Sequence, residues 1–197
     1  MDKKILRKDI LEKLKTINSK ERLSFEKAIY NKLFENENFK KAKCIALTIP
    51  FGTEINTYPI IEKLLNEGKT VCSPICEKEN RNMIFYKINS LDELVEGYYG
   101  IKTPPEKKEN IVEKDMIDLI LVPGVGFDKD NYRIGFGGGY YDTFLSKVIF
   151  NNQTNRKNRN KPLIIGVCYD FQLIDYIPSE DHDIKMDYIV TEKNIVI

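Results

Sequence analysis

The glycine-rich segment at residues 123–142 is the part of the chain whose residue types are best suited to chemistry. Six of the eleven glycines lie in it, between Gly124 and Gly139, and it runs into a helix-like stretch at residues 141–149. Glycine admits backbone angles that are closed to other residues and lets amide groups approach a ligand closely, as a phosphate-binding loop requires. The positive end of the following helix also favours an anion. The segment therefore predicts a phosphate site; a tight strand-to-helix connection without a ligand is the alternative.

Four side chains within this segment strengthen the prediction. Arg133 offers a planar pair of donors for phosphate oxygens, and Asp142 offers a hard oxygen ligand for Mg²⁺. Tyr140 and Tyr141 present flat surfaces to a ring system. No Lys-Ser/Thr pair follows the glycines, so the segment is not a Walker loop, and the Rossmann Gly-x-Gly-x-x-Gly pattern fits it only loosely. A glycine loop outside both standard motifs is expected.

Hydrophobic spacing predicts the elements that must position this segment. Apolar residues three and four positions apart over residues 3–34 are typical of two amphipathic helices, and Ser19 predicts the start of the second. The pattern further predicts helices at 57–65 and 141–149, a helical turn at 91–94, and strands at 44–49, 69–73, 83–88, 117–122, 163–168 and 188–190. Residues 98–113 are predicted to form a surface connection, and the polar residues 151–161 a mobile loop. This alternation predicts an α/β sheet covered on both faces, with ligands beyond the carboxyl ends of its strands.

The composition excludes several classes of protein. Hydrophobic residues make up 42% of the 197 residues, which is enough to build a core. The 31 basic and 30 acidic side chains nearly cancel, which argues against a general binder of nucleic acid or of anionic membranes. The four cysteines form no Cys-x-x-Cys pair, so neither a zinc site nor a disulfide framework is indicated. With no secretory signal and no apolar run long enough to span a bilayer, a cytoplasmic location is expected.

Longer stretches of the chain resemble the 5-formyltetrahydrofolate cyclo-ligase family, also called methenyltetrahydrofolate synthetases. The resemblance is carried by residues 118–123, 126–128 and 133–142. Residues 3–7, Glu54, residues 68–74, His182-Asp183 and residues 187–191 follow in the family's order, so the resemblance covers essentially the full length. It implies a single domain over residues 1–197 with a Rossmann-like three-layer sandwich, a mainly parallel sheet and helices on both faces.

The resemblance also implies an activity. The family uses ATP and Mg²⁺ to convert 5-formyltetrahydrofolate into 5,10-methenyltetrahydrofolate, with ADP and phosphate as products. The γ-phosphoryl group passes to the formyl oxygen, N10 attacks the activated carbon, and phosphate leaves. Such phosphoryl transfer depends on positioning and charge neutralisation, so the lack of a Ser-His-Asp or Cys-His set is no objection. The expected partner is a small-molecule folate, the substrate. The enzyme is expected to be a monomer that binds neither nucleic acid nor a membrane.

Site residues follow from the resemblance position by position. The ATP site is expected to comprise Lys3, Lys4, Arg7, Arg133, Ile134, Gly135, Phe136, Gly137, Gly138, Gly139, Tyr140 and Tyr141. The folate site is expected to comprise Phe51, Glu54, Phe136, Gly137, Gly138, Gly139 and Tyr140. Asp142 and Asp183 are the expected Mg²⁺ ligands, and Arg133 and Tyr140 the expected catalytic residues.

Each assignment has a simpler structural alternative. Lys3 and Arg7, four residues apart, are also typical of a solvated basic stripe on a helix. Glu54 could instead cap the helix near Thr57, and Asp183 could be an ordinary surface acid. His182, the only histidine, favours a structural role over that of a general base.

The sequence also departs from the family pattern at two positions of the segment. Asn131 stands where the family usually has glycine, and asparagine tolerates the same left-handed turn. Phe136 replaces a commoner tyrosine or basic residue, which removes any polar contact from that side chain. Two other functions stay open on the same fold: a non-catalytic ligand-sensing module, and a sugar-phosphate isomerase or transferase that uses the loop without ATP.

Overall fold

Five α-helices and thirteen short strands make up the computed structural model, which describes residues 2–77, 80–97, 100–155, 161–180 and 182–197. The helices are α1 (Lys3–Thr16), α2 (Ser19–Glu35), α3 (Glu37–Lys41), α4 (Tyr58–Asn66) and α5 (Tyr140–Asn155). The strands are β1 (Cys44–Ala46), β2 (Thr70–Cys76), β3 (Met83–Ile88), β4 (Val95–Glu96), β5 (Lys102–Thr103), β6 (Ile111–Val112), β7 (Leu119–Val122), β8 (Gly126–Asp128), β9 (Arg133–Ile134), β10 (Leu163–Val167), β11 (Leu173–Ile174), β12 (Tyr188–Val190) and β13 (Ile195–Val196).

The central sheet has eight strands in the order β13-β12-β10-β7-β1-β2-β3-β6. The five strands from β12 to β2 pair in parallel, whereas β3 and β6 at one edge and β13 at the other are antiparallel. Two small sheets, β11-β8-β9 and β4-β5, lie outside it. The mainly parallel sheet predicted from the alternating pattern is therefore confirmed.

Helices cover both faces of this sheet, and β7 shows why. Its four residues are all buried, and successive side chains point to opposite faces. Leu119 and Leu121 pack with residues of α1, α2 and α4, while Ile120 and Val122 pack with Phe144, Leu145 and Val148 of α5. A strand buried on both faces needs a continuous apolar run, which is the pattern seen at 117–122. The three-layer sandwich is confirmed.

The first two helices lie where the hydrophobic spacing places them, but Ser19 does not cap the second. Asn18 does so, because its side-chain oxygen accepts hydrogen bonds from the N–H groups of Lys20 and Glu21. Asp2 accepts in the same way from the N–H of Lys4 at the start of α1. Serine at the first helical position is one residue too late to receive the first-turn amides.

The sequence predicts that the glycine segment runs directly from a strand into a helix. The structure differs. A hairpin of β8 and β9 intervenes, and β11 pairs with β8, the first strand of the hairpin. The fully buried Asp128 holds this hairpin, since its carboxylate accepts from the N–H groups of Asp130, Tyr132 and Ile177. Asn131 adopts a φ of 67°, so its predicted left-handed conformation is confirmed.

Other boundaries also differ from the expectation. The first strand ends at Ala46 rather than at residue 49, and the 98–113 connection contains β5 and β6, of which β6 joins the central sheet. The backbone of α5 continues to Asn155, so the first part of the predicted 151–161 loop is helical, while residues 156–160 lie outside the described residues. Across the described ranges, no helix is both long and apolar enough to cross a membrane.

Candidate active site

A cleft of about 400 Å³ opens beyond the carboxyl ends of the central parallel strands. Thr48 follows β1, Cys76 ends β2, and Pro123 follows β7, and all three line it. The other described lining residues are Lys3, Arg7, Glu54, Arg133, Ile134, Gly135, Phe136, Gly137, Gly138, Gly139, Tyr140, Tyr141, Asp142, Glu180, His182 and Asp183. The position and volume are those expected for a small-molecule site in an open α/β sheet.

The glycine loop, residues 135–139, forms one wall of the cleft and leads into α5. Gly137 has a φ of 104°, a conformation that residues with a Cβ rarely adopt. A Cβ at Gly135 would lie 2.6 Å from Nη1 of Arg133, so that position must remain glycine for the guanidinium to pack there. The first hydrogen bond of α5 from this loop joins the N–H of Thr143 to the carbonyl of Gly139. The amides of the first turn therefore precede the helical hydrogen-bond ladder and are available to an anion.

Arg133 is buried against the loop with one donor unused. Its side chain is 5% exposed, its Nη2 donates to Asp142 Oδ1 at 3.0 Å, and its guanidinium lies 5.5 Å from the Tyr141 ring centroid. Nε of Arg133 is buried and has no hydrogen-bond partner. A buried donor without a partner costs free energy, and the buried guanidinium carries a positive charge to the wall of the cleft that would favour an anion there.

The first helix contributes two cations to the same cleft. Arg7 Nε donates to the carbonyl of Gly135 at 2.7 Å, and Lys3 Nζ lies 2.5 Å from Asp183 Oδ2. The two side chains thus point inward, and the alternative of a solvated basic stripe is wrong. Burial opposes ionisation of Asp183, but hydrogen bonds from Lys3 and from the N–H of Glu180 outweigh it and lower the pKa of the carboxyl. Asp183 is therefore an anion held inside the cleft rather than an ordinary surface acid.

The donors for a divalent cation are two carboxylates, each already paired with a basic side chain. Asp142 pairs with Arg133 and Asp183 with Lys3. Among the described residues, no group of three or more His, Cys, Asp or Glu side chains is placed to hold a metal ion. Mg²⁺ commonly binds through one or two carboxylates together with substrate phosphates and water. The residues present therefore fit a Mg²⁺ ion held largely by a nucleotide, and not a metal bound by protein alone.

Glu54 also lines the cleft and belongs to the loop that follows β1. Its Oε2 accepts the N–H of Phe51 at 3.0 Å, whereas the N–H of Tyr58, the first residue of α4, donates to Asn56 Oδ1 at 3.2 Å. The alternative that Glu54 caps this helix is thus wrong. Burial raises the pKa of Glu54 to about 7. Burial and the nearby charge of Glu54 also raise the pKa of Tyr141, whose hydroxyl is buried without a hydrogen-bond partner.

Two of the expected site residues lie elsewhere. Lys4 is exposed on α1, and Phe51 is 50% exposed; neither is among the described residues that line the cleft. Their assignment to ATP and to folate stays a prediction. Phe136 lines the cleft with its side chain 53% exposed, and His182 is exposed beside Glu180 and Asp183.

Arg81 is a further basic residue near the glycine loop, and the sequence does not indicate it. This residue lies in the connection between β2 and β3 with a φ of 53°, and its Nη1 is 3.6 Å from the point that a Cβ on Gly139 would occupy. A fourth basic side chain therefore approaches the glycine loop, near Gly139, whereas Arg7 approaches it near Gly137. Its location depends on a contact between segments about sixty residues apart, which no local pattern in the sequence indicates.

Comparison with known proteins gives a consistent family assignment. The family model described as "5-formyltetrahydrofolate cyclo-ligase family" matches residues 1–192. The 5-formyltetrahydrofolate cyclo-ligase of Saccharomyces cerevisiae is 34% identical over 177 residues, which cover 80% of this chain and 78% of that protein. The mouse protein of the same name is 27% identical over 195 residues, which cover 96% of this chain and 93% of that protein.

Solved structures agree with these matches. The 5,10-methenyltetrahydrofolate synthetase of Aquifex aeolicus superposes with a TM-score of 0.81 at 35% identity, covering 99% of this chain and 92% of that one. The Mycoplasma pneumoniae synthetase gives a TM-score of 0.74 at 27% identity, with 98% and 99% covered. The chain therefore belongs to the 5-formyltetrahydrofolate cyclo-ligase family and is an enzyme, as its residues 118–142 predict.

Proposed function

We propose that this enzyme converts 5-formyltetrahydrofolate into 5,10-methenyltetrahydrofolate with ATP as co-substrate and Mg²⁺ as cofactor. The observation that carries the proposal is the convergence, in one cleft, of a glycine loop, three basic side chains and the half-buried carboxylate of Glu54. Family membership supports the same conversion. We also propose that the enzyme acts as a monomer.

In this proposal the triphosphate lies along the glycine loop. The amides of residues 135–141 and the N-terminal end of α5 bind the phosphate oxygens, and the guanidinium of Arg133 in the wall of the cleft supplies positive charge beside them. Lys3 and Arg7 supply further positive charge from α1. Arg81 does so from the β2–β3 connection. Fixed donors of this kind stabilise the charge that develops on the transferred phosphoryl group.

Mg²⁺, when bound with the nucleotide, neutralises phosphate charge, and Asp142 and Asp183 are the carboxylates that would hold it. Both residues have a second task. Asp142 fixes the guanidinium of Arg133, and Asp183 fixes the ammonium of Lys3. Each carboxylate therefore orients a cation toward the phosphates.

The folate lies at the Glu54 end, so that its formyl group faces the γ-phosphate. Glu54 and Tyr140 contact the pterin, and the half-exposed ring of Phe136 lines the same cleft. The formyl oxygen on N5 attacks the γ-phosphorus and ADP leaves. N10 then attacks the activated carbon, the carbon–oxygen bond breaks with its electron pair leaving on phosphate, and N10 loses its proton. The product is the 5,10-methenyl cation.

The purified chain should produce the ultraviolet absorbance of the methenyl product from 5-formyltetrahydrofolate only when Mg²⁺ and ATP are both present. One ADP should form for each methenyl product. Absence of this absorbance under every condition would contradict the proposal and leave a ligand-sensing module or a sugar-phosphate enzyme. Product formation without ATP would contradict the role given to the glycine loop.

A further inference from the structure

The loop that carries Glu54 is hydrogen-bonded to a stripe of side chains along one face of α2. Arg22, Glu26 and Tyr30 follow at intervals of four residues and so share one face of the helix. Arg22 Nη2 donates to the carbonyl of Glu54, and the hydroxyl of Tyr30 donates to the carbonyl of Asn56. Between them, Oε1 of Glu26 accepts the N–H of Asn56 at 2.9 Å. Three successive members of the stripe thus bind three backbone groups of residues 54–56.

Glu26 is the centre of this arrangement. It is 4% exposed, and Arg22 Nε lies 3.1 Å from its Oε1, which also accepts the hydroxyl of Tyr169 at 3.0 Å. A buried carboxylate is tolerated only when it is paired and hydrogen-bonded. Burial and the charge of Glu26 raise the pKa of both Tyr30 and Tyr169, which keeps the two phenols protonated as donors. The stripe is therefore a fully connected polar network inside the protein.

The other side of the same loop faces the cleft. The carboxylate of Glu54 accepts the N–H of Phe51 at 3.0 Å, and Thr57 Oγ1 donates to the carbonyl of Thr48 at 2.6 Å. None of Arg22, Glu26 and Tyr30 is among the described residues that line the cleft. The stripe can therefore influence a ligand only through the position of this loop.

We infer that Arg22, Glu26 and Tyr30 are positioning residues for the folate end of the cleft: they hold the backbone at residues 54–56 so that the Glu54 carboxylate meets the substrate. The inference rests on the proposed function, since it assigns the Glu54 end to the folate. Fixing the loop before the ligand arrives lowers the entropy lost on binding. Loosening it should weaken the folate and leave the nucleotide, bound at the other end, largely unaffected.

The test compares Tyr30→Phe with Tyr188→Phe. Both tyrosines are 7% exposed and each donates one hydrogen bond, but Tyr188 donates to the Asn36 side chain at 3.0 Å and not to the loop. We expect Tyr30→Phe to raise KM for 5-formyltetrahydrofolate about three- to tenfold while KM for ATP stays within twofold. Tyr188→Phe should leave both KM values within twofold. The temperature of thermal unfolding should fall by a similar amount in the two variants. Equal changes in both KM values, or no difference between the two variants, would overturn the inference.

A second variant and a second measurement separate this inference from the proposed function. Glu26→Gln keeps an acceptor for Asn56 but removes the charge that pairs with Arg22, and it should show the same KM split. Amide hydrogen exchange in the unliganded protein should be faster over residues 51–57 in Tyr30→Phe and unchanged there in Tyr188→Phe. Unchanged exchange in Tyr30→Phe would overturn the positioning role. A wild-type chain that makes no methenyl product would overturn the proposed function alone, because the exchange measurement needs no substrate.

Discussion

Nη2 of Arg133 and Oδ1 of Asp142 are 3.0 Å apart, so the two ends of the glycine loop are joined by an ion pair that is largely shielded from water. The pair fixes the loop between β9 and α5 and leaves Nε of Arg133 buried without a partner. A guanidinium held in this way is already in place when an anion arrives. Under the proposed function, we expect Arg133 to stabilise the transition state in addition to binding the substrate.

Replacing Arg133 should therefore impair catalysis more than folding. Arg133→Ala is expected to lower kcat/KM for ATP on the order of 10- to 100-fold, since a charge-assisted phosphate contact contributes about 1.5 to 3 kcal/mol. Steady-state rates of methenyl formation measure the effect. Lys129→Ala removes an exposed cation from the surface pair with Asp175 and serves as the control. A wild-type kcat/KM in Arg133→Ala would remove this residue from the site.

Lys3 should contribute to nucleotide binding in spite of its position near the start of the chain. Lys3→Met is expected to raise KM for ATP several-fold because the ammonium that faces the cleft is lost. Lys8→Met changes an exposed lysine of the same helix and should leave KM unaltered. Kinetics at low and high salt test the interpretation, since screening should reduce the difference between Lys3→Met and the wild type. An identical KM in the two variants would show that Lys3, although it lines the cleft, does not bind the nucleotide.

The conformation of Gly137 gives a prediction for the loop itself. Gly137→Ala should destabilise the fold by about 1 kcal/mol, because its φ of 104° is strained for alanine, and should also raise KM for ATP. Gly68→Ala, at a φ of 72° after α4, carries a comparable strain away from the cleft. Chemical denaturation should show a loss of stability in both variants, while only Gly137→Ala changes KM. Parallel changes in KM would mean that strain alone explains the effect.

Glu54 should make stability depend on pH. Burial raises its pKa from 4.5 to about 7, so between these values the folded protein retains a proton that the unfolded chain has lost. This contribution to stability is therefore complete at low pH and is lost as pH rises toward 7. Glu54→Gln lacks this loss. The difference in free energy of unfolding between Glu54→Gln and wild type should therefore rise, in favour of the variant, by about 2 kcal/mol from pH 5 to pH 8, a value reduced for partial solvent screening.

Urea denaturation at the two pH values measures this gain. Glu12→Gln, which changes an exposed carboxyl of α1, is the matched control. A difference between Glu54→Gln and wild type that is the same at both pH values would contradict the raised pKa.

The parallel core could be predicted from the sequence because its signal is local. The apolar run at 117–122 is long enough to show that β7 is buried on both faces. The hairpin of β8 and β9 was not predictable in this way, since strands of three and two residues are too short to show a period of two. Their pairing is enforced by Asp128 and by packing against β11.

The site was predictable where it lies in one segment and not where distant segments meet. The loop at 135–139 and Arg133 are marked by composition alone. Composition does not mark Arg81 or the Arg22–Glu26 pair, because their place near the site depends on contacts with residues 30 or more positions away in the chain. A salt bridge at four-residue spacing usually indicates an exposed helix face, and only the fold shows that Glu26 is buried.

The most direct test of the account is a crystal structure of this chain with a non-hydrolysable ATP analogue and Mg²⁺. The expected result is a triphosphate bound against the amides of residues 135–141, with its phosphates beside the guanidinium of Arg133 and the γ-phosphate directed toward Glu54. A nucleotide bound elsewhere, with the glycine loop free of phosphate, would contradict the account.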